Sequence, residues 1–333
     1  MKRKILFAVA LLATMTAAAQ NIAAVSPSNT TTIYQTLDEA IVGAESGSTI
    51  YLPGGGFQIK DETKINKKLT IMGVSHRGDT DNVDGATVIS GNLHFEGGSS
   101  GSAVLGVYLT GNINVGTGTD SVTNFTVRYC NVNYIKVKHS QSSGMVVNQC
   151  YLRRESNFGN CNVRLENNIA HSYAYINGGI INHNIITSKP CGSYLSTYMH
   201  IGINNTTITN NFFLASYSSS RDCSNCLTHN NFWDSSFSDS SSDLIGENPF
   251  FRESDKTWDD VFYANKGVSI LSDYRLKGSW GKGKATDGTD IGIYGNIAEK
   301  KDLTPIPRIV SKKVDESTDG SGKLQIEVTV KAQ

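Results

Sequence analysis

Short runs of alternating apolar and polar residues recur along the middle of the chain. Each begins with an apolar residue, continues with two further residues and an Asn or Cys, and has another apolar residue two places later. Six segments share this pattern: VRYCNV (127–132), VNQCYL (147–152), LENNIA (165–170), INHNII (181–186), ITNNFF (208–213) and LTHNNF (227–232). Alternation over such short runs, broken by polar residues, predicts β-strands joined by turns.

One column of this alignment predicts a stack of identical side chains. Its members are Cys130, Cys150, Asn168, Asn184, Asn211 and Asn230, at successive spacings of 20, 18, 16, 27 and 19 residues. A period near 20 residues is typical of a β-solenoid, in which each coil contacts only its neighbours. Coils about 4.8 Å apart would bring the Asn amides into register as a buried ladder. Cys fits the first two positions as a small apolar substitute.

The two ends of the chain differ from the middle. Basic residues 2–4, the apolar run 5–13 and the small residues 17–19 predict a signal peptide over residues 1–19. Thr36-Leu-Asp-Glu39 has the pattern of a capping box, which predicts a short helix that covers the first strands. Residues 20–297 are then a β domain with an N-terminal cap, and residues 298–333 a linker with a C-terminal β tail.

Several of these segments together resemble the right-handed parallel β-helix of the pectin-lyase-like superfamily. The likeness covers residues 34–297 and rests on TLDEAI, GSTIYLPGGGF and KKLTIMG near the start, on the Asn column, and on DYRLKGS and GTDIGIYGN near the end. It implies an all-β, right-handed parallel β-helix with a short N-terminal capping helix. The two segments near the end, DYRLKGS and GTDIGIYGN, look like the final coils of β-helix proteins that Bacteroidetes-type bacteria export.

Composition and charge limit the partners and the location that this chain could have. The 333-residue chain has a formal net charge of zero, which becomes about −3 when the three basic residues of the signal peptide are removed. Export and a slightly negative mature chain disfavour nucleic acid as a partner. No later stretch approaches the roughly 20 apolar residues of a membrane helix, so no membrane span is expected. The expected location is the periplasm, the outer cell surface or the medium.

An enzyme on this scaffold would need recognisable groups. The Asn-Thr-Asp, Asp-Asp, Gly-His-Gly and Arg-Ile-Lys set that marks galacturonan-hydrolase-like members is absent as a set. A polysaccharide lyase needs a base and a cation that stabilises the charge beside a uronate carboxylate. The residues that could supply these in the middle coils are Lys136, Arg153, Arg154 and His171. For ligand binding without catalysis the candidates are Lys136, Lys138, Tyr175 and His200.

Metal and thiol chemistry are weaker possibilities. Asp79, Asp81 and Asp84 form an oxygen-rich loop that suits Ca²⁺, but their spacing departs from an EF-hand, so no cofactor is expected. Cys130 and Cys150, on adjacent coils, suit either a disulfide or a buried reduced pair. Cys223-Ser-Asn-Cys226 is better interpreted as a loop staple than as a redox or zinc site.

The sequence therefore favours an exported, non-catalytic β-helix protein that binds carbohydrate or acts as an adhesive scaffold at the cell envelope. Its partner would be a polysaccharide or a cell-surface glycan. The alternative is a polysaccharide lyase that performs uronate β-elimination in the middle coils. A third hypothesis is a structural subunit of a surface assembly. The sequence does not predict an oligomeric state.

Overall fold

The computed structural model describes most of the chain between residues 21 and 331. The described ranges are 21–76, 85–187, 201–214, 221–233, 244–245, 250–251, 258–264, 273–295, 308–314 and 326–331. The predicted signal peptide, residues 1–19, lies outside them. The described residues form a nearly all-β protein with long parallel sheets, and none of their helices is long or apolar enough to cross a membrane.

The strands are short, as the alternating pattern predicts. The elements in chain order are β1 (Ile22–Val25), β2 (Thr31–Tyr34), α1 (Leu37–Gly43), β3 (Thr49–Leu52), β4 (Gly55–Gln58), β5 (Lys64–Ile65), β6 (Thr70–Gly73), β7 (Thr87–Ser90), β8 (Leu93–Phe95), β9 (Ala103–Leu105), β10 (Tyr108–Leu109), β11 (Ile113–Val115), β12 (Thr126–Arg128), β13 (Asn131–Val132), β14 (Ile135–Val137), β15 (Met145–Asn148), β16 (Tyr151–Leu152), β17 (Ser156–Gly159), β18 (Val163–Glu166), β19 (Ile169–Ala170), β20 (Tyr173–Asn182), β21 (Ile185–Ile186), β22 (Ile201–Thr209), β23 (Phe212–Phe213), β24 (Arg221–Ser224), β25 (Cys226–His229), β26 (Phe232–Trp233), β27 (Leu244–Ile245), β28 (Phe250–Phe251), α2 (Trp258–Val261), β29 (Phe262–Ala264), β30 (Asp273–Leu276), β31 (Arg308–Val314) and β32 (Ile326–Lys331).

Between β3 and β28 the strands stack in three parallel series. The first stack runs β3, β6, β9, β12, β15, β18, the second half of β20, the second half of β22, β25 and β27. The second is a ten-stranded sheet that runs from β4 through β7 and β10 to β28. The third runs β5, β8, β11, β14, β17, the first half of β20, the first half of β22, and β24. The chain thus returns repeatedly to the same three stacks, and this arrangement is compatible with a β-helix.

Aliphatic side chains from successive strands form the core. In the first stack the strand pairing aligns one buried column: Ile50, Ile71, Val104, Val127, Val147, Leu165, Ile181 and Ile208. Each such side chain contributes about 1.5–3 kcal/mol when it leaves water. The repeated apolar position of the sequence alignment is therefore the inward position of this stack.

A small antiparallel unit precedes the parallel strands. Helix α1 begins after Thr36 with the predicted capping box, in which the Thr36 side chain accepts from the Glu39 N–H and the Glu39 side chain accepts from the Thr36 N–H. Leu37, Ala40 and Ile41 are buried, as the apolar face predicts. Strand β1 pairs antiparallel with both β2 and β3, and thereby extends the first stack in the opposite strand direction.

The predicted Asn column is present, with one residue corrected. Its described members are Cys130, Cys150, Asn168, Asn184, Asn211 and Asn231, which we call the buried ladder. Asn184 Nδ2 donates to Asn211 Oδ1 at 3.0 Å, and Asn211 Nδ2 donates to Asn231 Oδ1 at 2.9 Å. The prediction of Asn230 was wrong. Thr228, not Leu227, pairs with Ile208 and points inward, so Leu227 is 41% exposed and the register moves by one residue.

The described residues 258–264 and 273–295 pack on the outside of the ten-stranded sheet, and we call them the strap. Its buried residues Val261, Phe262, Tyr274 and Ile291 form a second core with outward-facing side chains of that sheet, such as Phe212. The expectation that DYRLKGS and GTDIGIYGN form the last coils is wrong, because β30 pairs antiparallel with β29 instead of extending a stack. Further on, β31 and β32 form an antiparallel hairpin.

Candidate functional site

An open groove of about 430 Å³ lies on the third stack, where β14, β17 and the first half of β20 run side by side. Most of the residues that line it are polar. The residues around it are Val137, Lys138, His139, Ser140, Asn157, Gly159, Asn160, Tyr175, Ile176, Asn177 and Asn204. No Asp or Glu is among them. The described lining therefore offers amide, hydroxyl and cationic groups to a ligand, and the paired carboxylates of glycoside hydrolysis are not among its residues.

Tyr175 presents a phenol ring to the groove. The residue is 60% exposed, although its strand neighbours Tyr173 and Ile176 are buried. Its φ of 49° lies in the left-handed region, which costs a bulky residue about 1–2 kcal/mol. The same left-handed backbone recurs at other turn residues of the chain, such as Tyr129 and Asn205. What distinguishes Tyr175 is that more than half of the residue is exposed beside the groove. A flat aromatic face beside polar groups is suited to the apolar face of a sugar ring.

A second row of amides borders the groove. Asn160, Asn177, Asn205 and Asn225 are all exposed at the turn between the third and first stacks, and we call them the exposed ladder. Asn177 Nδ2 donates to Asn160 Oδ1 at 3.3 Å, and Asn205 Nδ2 donates to Asn177 Oδ1 at 2.7 Å. Asn225 Nδ2 donates to Asn205 Oδ1, also at 2.7 Å. Asn177 and Asn205 each use one donor and one acceptor in the ladder, while Asn160 only accepts and Asn225 only donates. All four amides therefore keep further capacity for sugar hydroxyl groups or water.

Lys138 and His139 are the ionisable side chains next to the ring. Lys138 is exposed, and its ammonium has no carboxylate partner among the described residues. His139 Nδ1 accepts from the Gln141 N–H at 3.1 Å. A neutral His139 must then carry its proton on Nε2, so that nitrogen donates a hydrogen bond and does not act as a base. These two residues suit recognition better than proton abstraction.

The side chain of Arg153, a predicted lyase residue, is held in place by structural contacts. Its guanidinium donates to the carbonyls of Leu109 and Thr110 at 2.7 and 3.1 Å, and to Asn131 Oδ1 at 3.1 Å. It also stacks over the Tyr108 ring, 4.7 Å from the ring centroid. Burial lowers the pKa of this guanidinium from its usual value. Arg153 therefore joins successive turns of the chain, and little of its charge is directed toward solvent.

The other predicted lyase residues do not converge. The backbone N–H groups of Arg153 and His171 bond to the carbonyls of Val132 and Leu152, so the two residues stack as expected. His171 Nδ1 lies 3.1 Å from Ser172 Oγ, and burial lowers the pKa of its imidazole. Arg154 is exposed at the same turn, and Lys136 is exposed further along, on β14. None of the four lines the groove.

The predicted ligand-binding residues are partly brought together. Lys138 and Tyr175 both line the groove, and Lys136 lies on the same strand as the groove residue Val137 without lining the groove itself. His200 lies outside the described residues. So do Asp79, Asp81 and Asp84, so the calcium hypothesis is not tested. Within the described part of the chain, no group of three or more His, Cys, Asp or Glu residues could hold a metal ion.

The described cysteines are free thiols in the interior. They are Cys130, Cys150, Cys161 and Cys226. Of the two alternatives for Cys130 and Cys150, the structure has the buried reduced pair, in which Cys150 Sγ donates to the carbonyls of Val127 and Asn148. Burial raises the pKa of the Cys150 thiol well above its usual value. Cys226 is buried in β25 with its thiol directed at the Ile203 carbonyl, so the loop-staple interpretation is wrong for it.

Sequence reasoning missed most of the groove. Asn157, Asn160, Asn177 and Asn204 carry its polar lining, and His139 borders it. A signal was present, because Asn160 and Asn177 lie 17 residues apart, and Asn177 and Asn205 lie 28 apart. These spacings follow the irregular period of the buried ladder. Comparison of the chain with protein-family models, with curated proteins and with solved structures gives no match.

Proposed function

We propose that this chain is an exported, right-handed parallel β-helix protein similar to the pectin-lyase-like proteins of Bacteroidetes-type bacteria. In this proposal it binds a polysaccharide or cell-surface glycan at the cell envelope without cleaving it. The three parallel stacks and the buried ladder support the fold. The handedness and the bacterial group rest on the sequence resemblance.

One observation carries the binding function. The exposed Tyr175 ring and the exposed-ladder amides of Asn160 and Asn177 line the same groove. Lys138 would add attraction for an acidic sugar, and this attraction should weaken as salt screens it. Catalysis has less support, because Arg153 is held by backbone carbonyls and no carboxylate is found among the described residues that line the groove.

The test is a glycan titration of the purified exported protein. Neutral and uronate-containing polysaccharides, with and without Ca²⁺, are added while the melting temperature and the ultraviolet absorbance of unsaturated uronate ends are recorded. A ligand that binds only the folded state must raise the melting temperature. We expect such a rise with no new absorbance. A rise in absorbance would instead support the lyase alternative. If neither the melting temperature nor the absorbance changes, the result would support the structural-subunit hypothesis.

A matched pair of variants places the site. Tyr175→Ala should weaken glycan binding at least about tenfold, a loss of about 1.4 kcal/mol of binding energy. Tyr263→Ala is the control, because Tyr263 is 59% exposed but lies on β29 of the strap, away from the groove. Equal binding by both variants would show that the glycan binds elsewhere. Lys138→Ala should weaken binding of acidic glycans only, and most clearly at low salt.

A further inference from the structure

Among the residues that the structure describes, strand β2 forms the N-terminal edge of the first stack. Strand β2 pairs with β1 on one side, and no described residue pairs with its other side. Thr31, Thr32 and Ile33 are exposed, and Ile33 is 52% exposed. An edge strand of this kind presents unpaired backbone donors and acceptors, which are a template for another strand.

Strand β2 is short, at four residues, but three other common protections of an edge strand are missing from it. Proteins commonly discourage edge pairing with a charged side chain, a proline or a bulge in the strand. The segment Ser26–Thr36, SPSNTTTIYQT, contains no charged residue, and its proline lies in the turn before β2. Two of the four residues of β2 are threonines and one is isoleucine, all β-branched and suited to an extended pairing.

An apolar row leads from this edge across the outer face of the first stack. The strand pairing places Ile33 beside Ala23, Ala23 beside Tyr51, Tyr51 beside Met72 and Met72 beside Leu105. All five are at least partly exposed, because their strand neighbours hold the inward positions. The row ends at the open edge, where a partner strand would extend it.

We propose that β2 pairs antiparallel with β2 of a second copy of this chain, and that the copies form a two-fold symmetric dimer through this edge. A charge-free strand set against itself brings no like charges together, and two-fold dimers use the same patch on both subunits. In an antiparallel pair, two residues that lie opposite each other have their side chains on the same face of the sheet. The two-fold axis must therefore pass beside one residue of β2 and its own counterpart, and the central residues of β2 are Thr32 and Ile33. Ile33 opposite its own counterpart joins the two apolar rows into one surface, which favours that register.

The test measures the oligomeric state of the exported protein by sedimentation across a range of concentrations. The wild-type protein should form a reversible dimer, and Ile33→Lys should abolish it because two ammonium groups would meet at the axis. Val42→Lys is the matched control, since Val42 is 72% exposed on α1 at the same end of the molecule but not on the edge strand. It should leave the dimer unchanged.

Charge reversal makes the result independent of folding defects. Ile33→Lys and Ile33→Glu should each be monomeric, and an equimolar mixture of the two should form dimers again. Circular dichroism and melting curves would confirm that both variants fold. A monomeric wild-type protein at every concentration, a dimer that survives Ile33→Lys, or a mixture that stays monomeric would each overturn the proposal.

Discussion

The two amide ladders use the same side chain in successive turns of the chain but in opposite surroundings. In the buried ladder, Asn184 Oδ1 accepts from the Asn168 N–H, from Asn168 Nδ2 and from the Tyr173 hydroxyl. In the exposed ladder, the Asn177 side chain bonds to Asn160 on one side and to Asn205 on the other. An unpaired amide inside the protein is costly, whereas an unpaired amide at the surface can bond to water. Burial therefore decides whether an amide ladder stabilises the fold or remains available to a ligand.

The largest expected effect is in the middle of the buried ladder. Asn184→Ala should lower the free energy of unfolding by about 3–5 kcal/mol, because it leaves several buried donors without an acceptor. Asn177→Ala, the matched change in the exposed ladder, should cost less than about 1 kcal/mol. Denaturant unfolding of both variants measures the difference. Similar losses would mean that burial does not distinguish the ladders.

An intermediate effect should separate two adjacent residues at the end of the buried ladder. Asn231 Oδ1 accepts from the Asn211 N–H and from Asn211 Nδ2, so Asn231→Ala should cost about 2–3 kcal/mol. Asn230 has a φ of 52° and donates to the Lys284 carbonyl of the strap. Asn230→Gly should cost under about 1 kcal/mol, since glycine accepts the left-handed backbone. The reverse order, again from denaturant unfolding, would favour Asn230 as the ladder residue.

The smallest effect is expected where the ladder can be lengthened. Cys150→Asn should change the free energy of unfolding by less than about 1 kcal/mol, because a new amide could donate to Asn168 Oδ1 and to the Val127 carbonyl, which Cys150 already contacts. Cys161→Asn should cost about 2–3 kcal/mol, since Cys161 is buried outside the column. Thermal unfolding of the pair measures this, and a large loss for Cys150→Asn would restrict the ladder to its present amides.

These contrasts also explain which parts of the structure could be predicted. The buried column was predictable because stacking repeats one side chain at a regular place, and the capping box because its hydrogen bonds are local. The prediction of Asn230 as a ladder residue failed because the alignment placed Leu227, an aliphatic residue, at the position that faces inward in the other segments. Pairing with the neighbouring strand places Thr228 there instead.

The strap and the groove were harder to predict, for different reasons. Phe212 and Phe232 point out of the ten-stranded sheet toward the strap, yet an alternating pattern does not say which face is covered from outside. The groove depends on polar residues, and Asn in a turn has many local explanations. Lys138 and Tyr175 were identified because their residue types are suited to ligands, but the sequence does not show that the chain brings them together.

The strap affects how the protein unfolds locally. Asn167, His183, Asn210 and Asn230 lie at the same turn in four successive repeats, and all four bond to the strap between residues 284 and 293. A stack of repeats held only by nearest neighbours can fray one repeat at a time. Here one continuous segment spans four of them, so no single repeat can open without detaching from it. These repeats should exchange their amide hydrogens as one cooperative block, while the N-terminal repeats open separately.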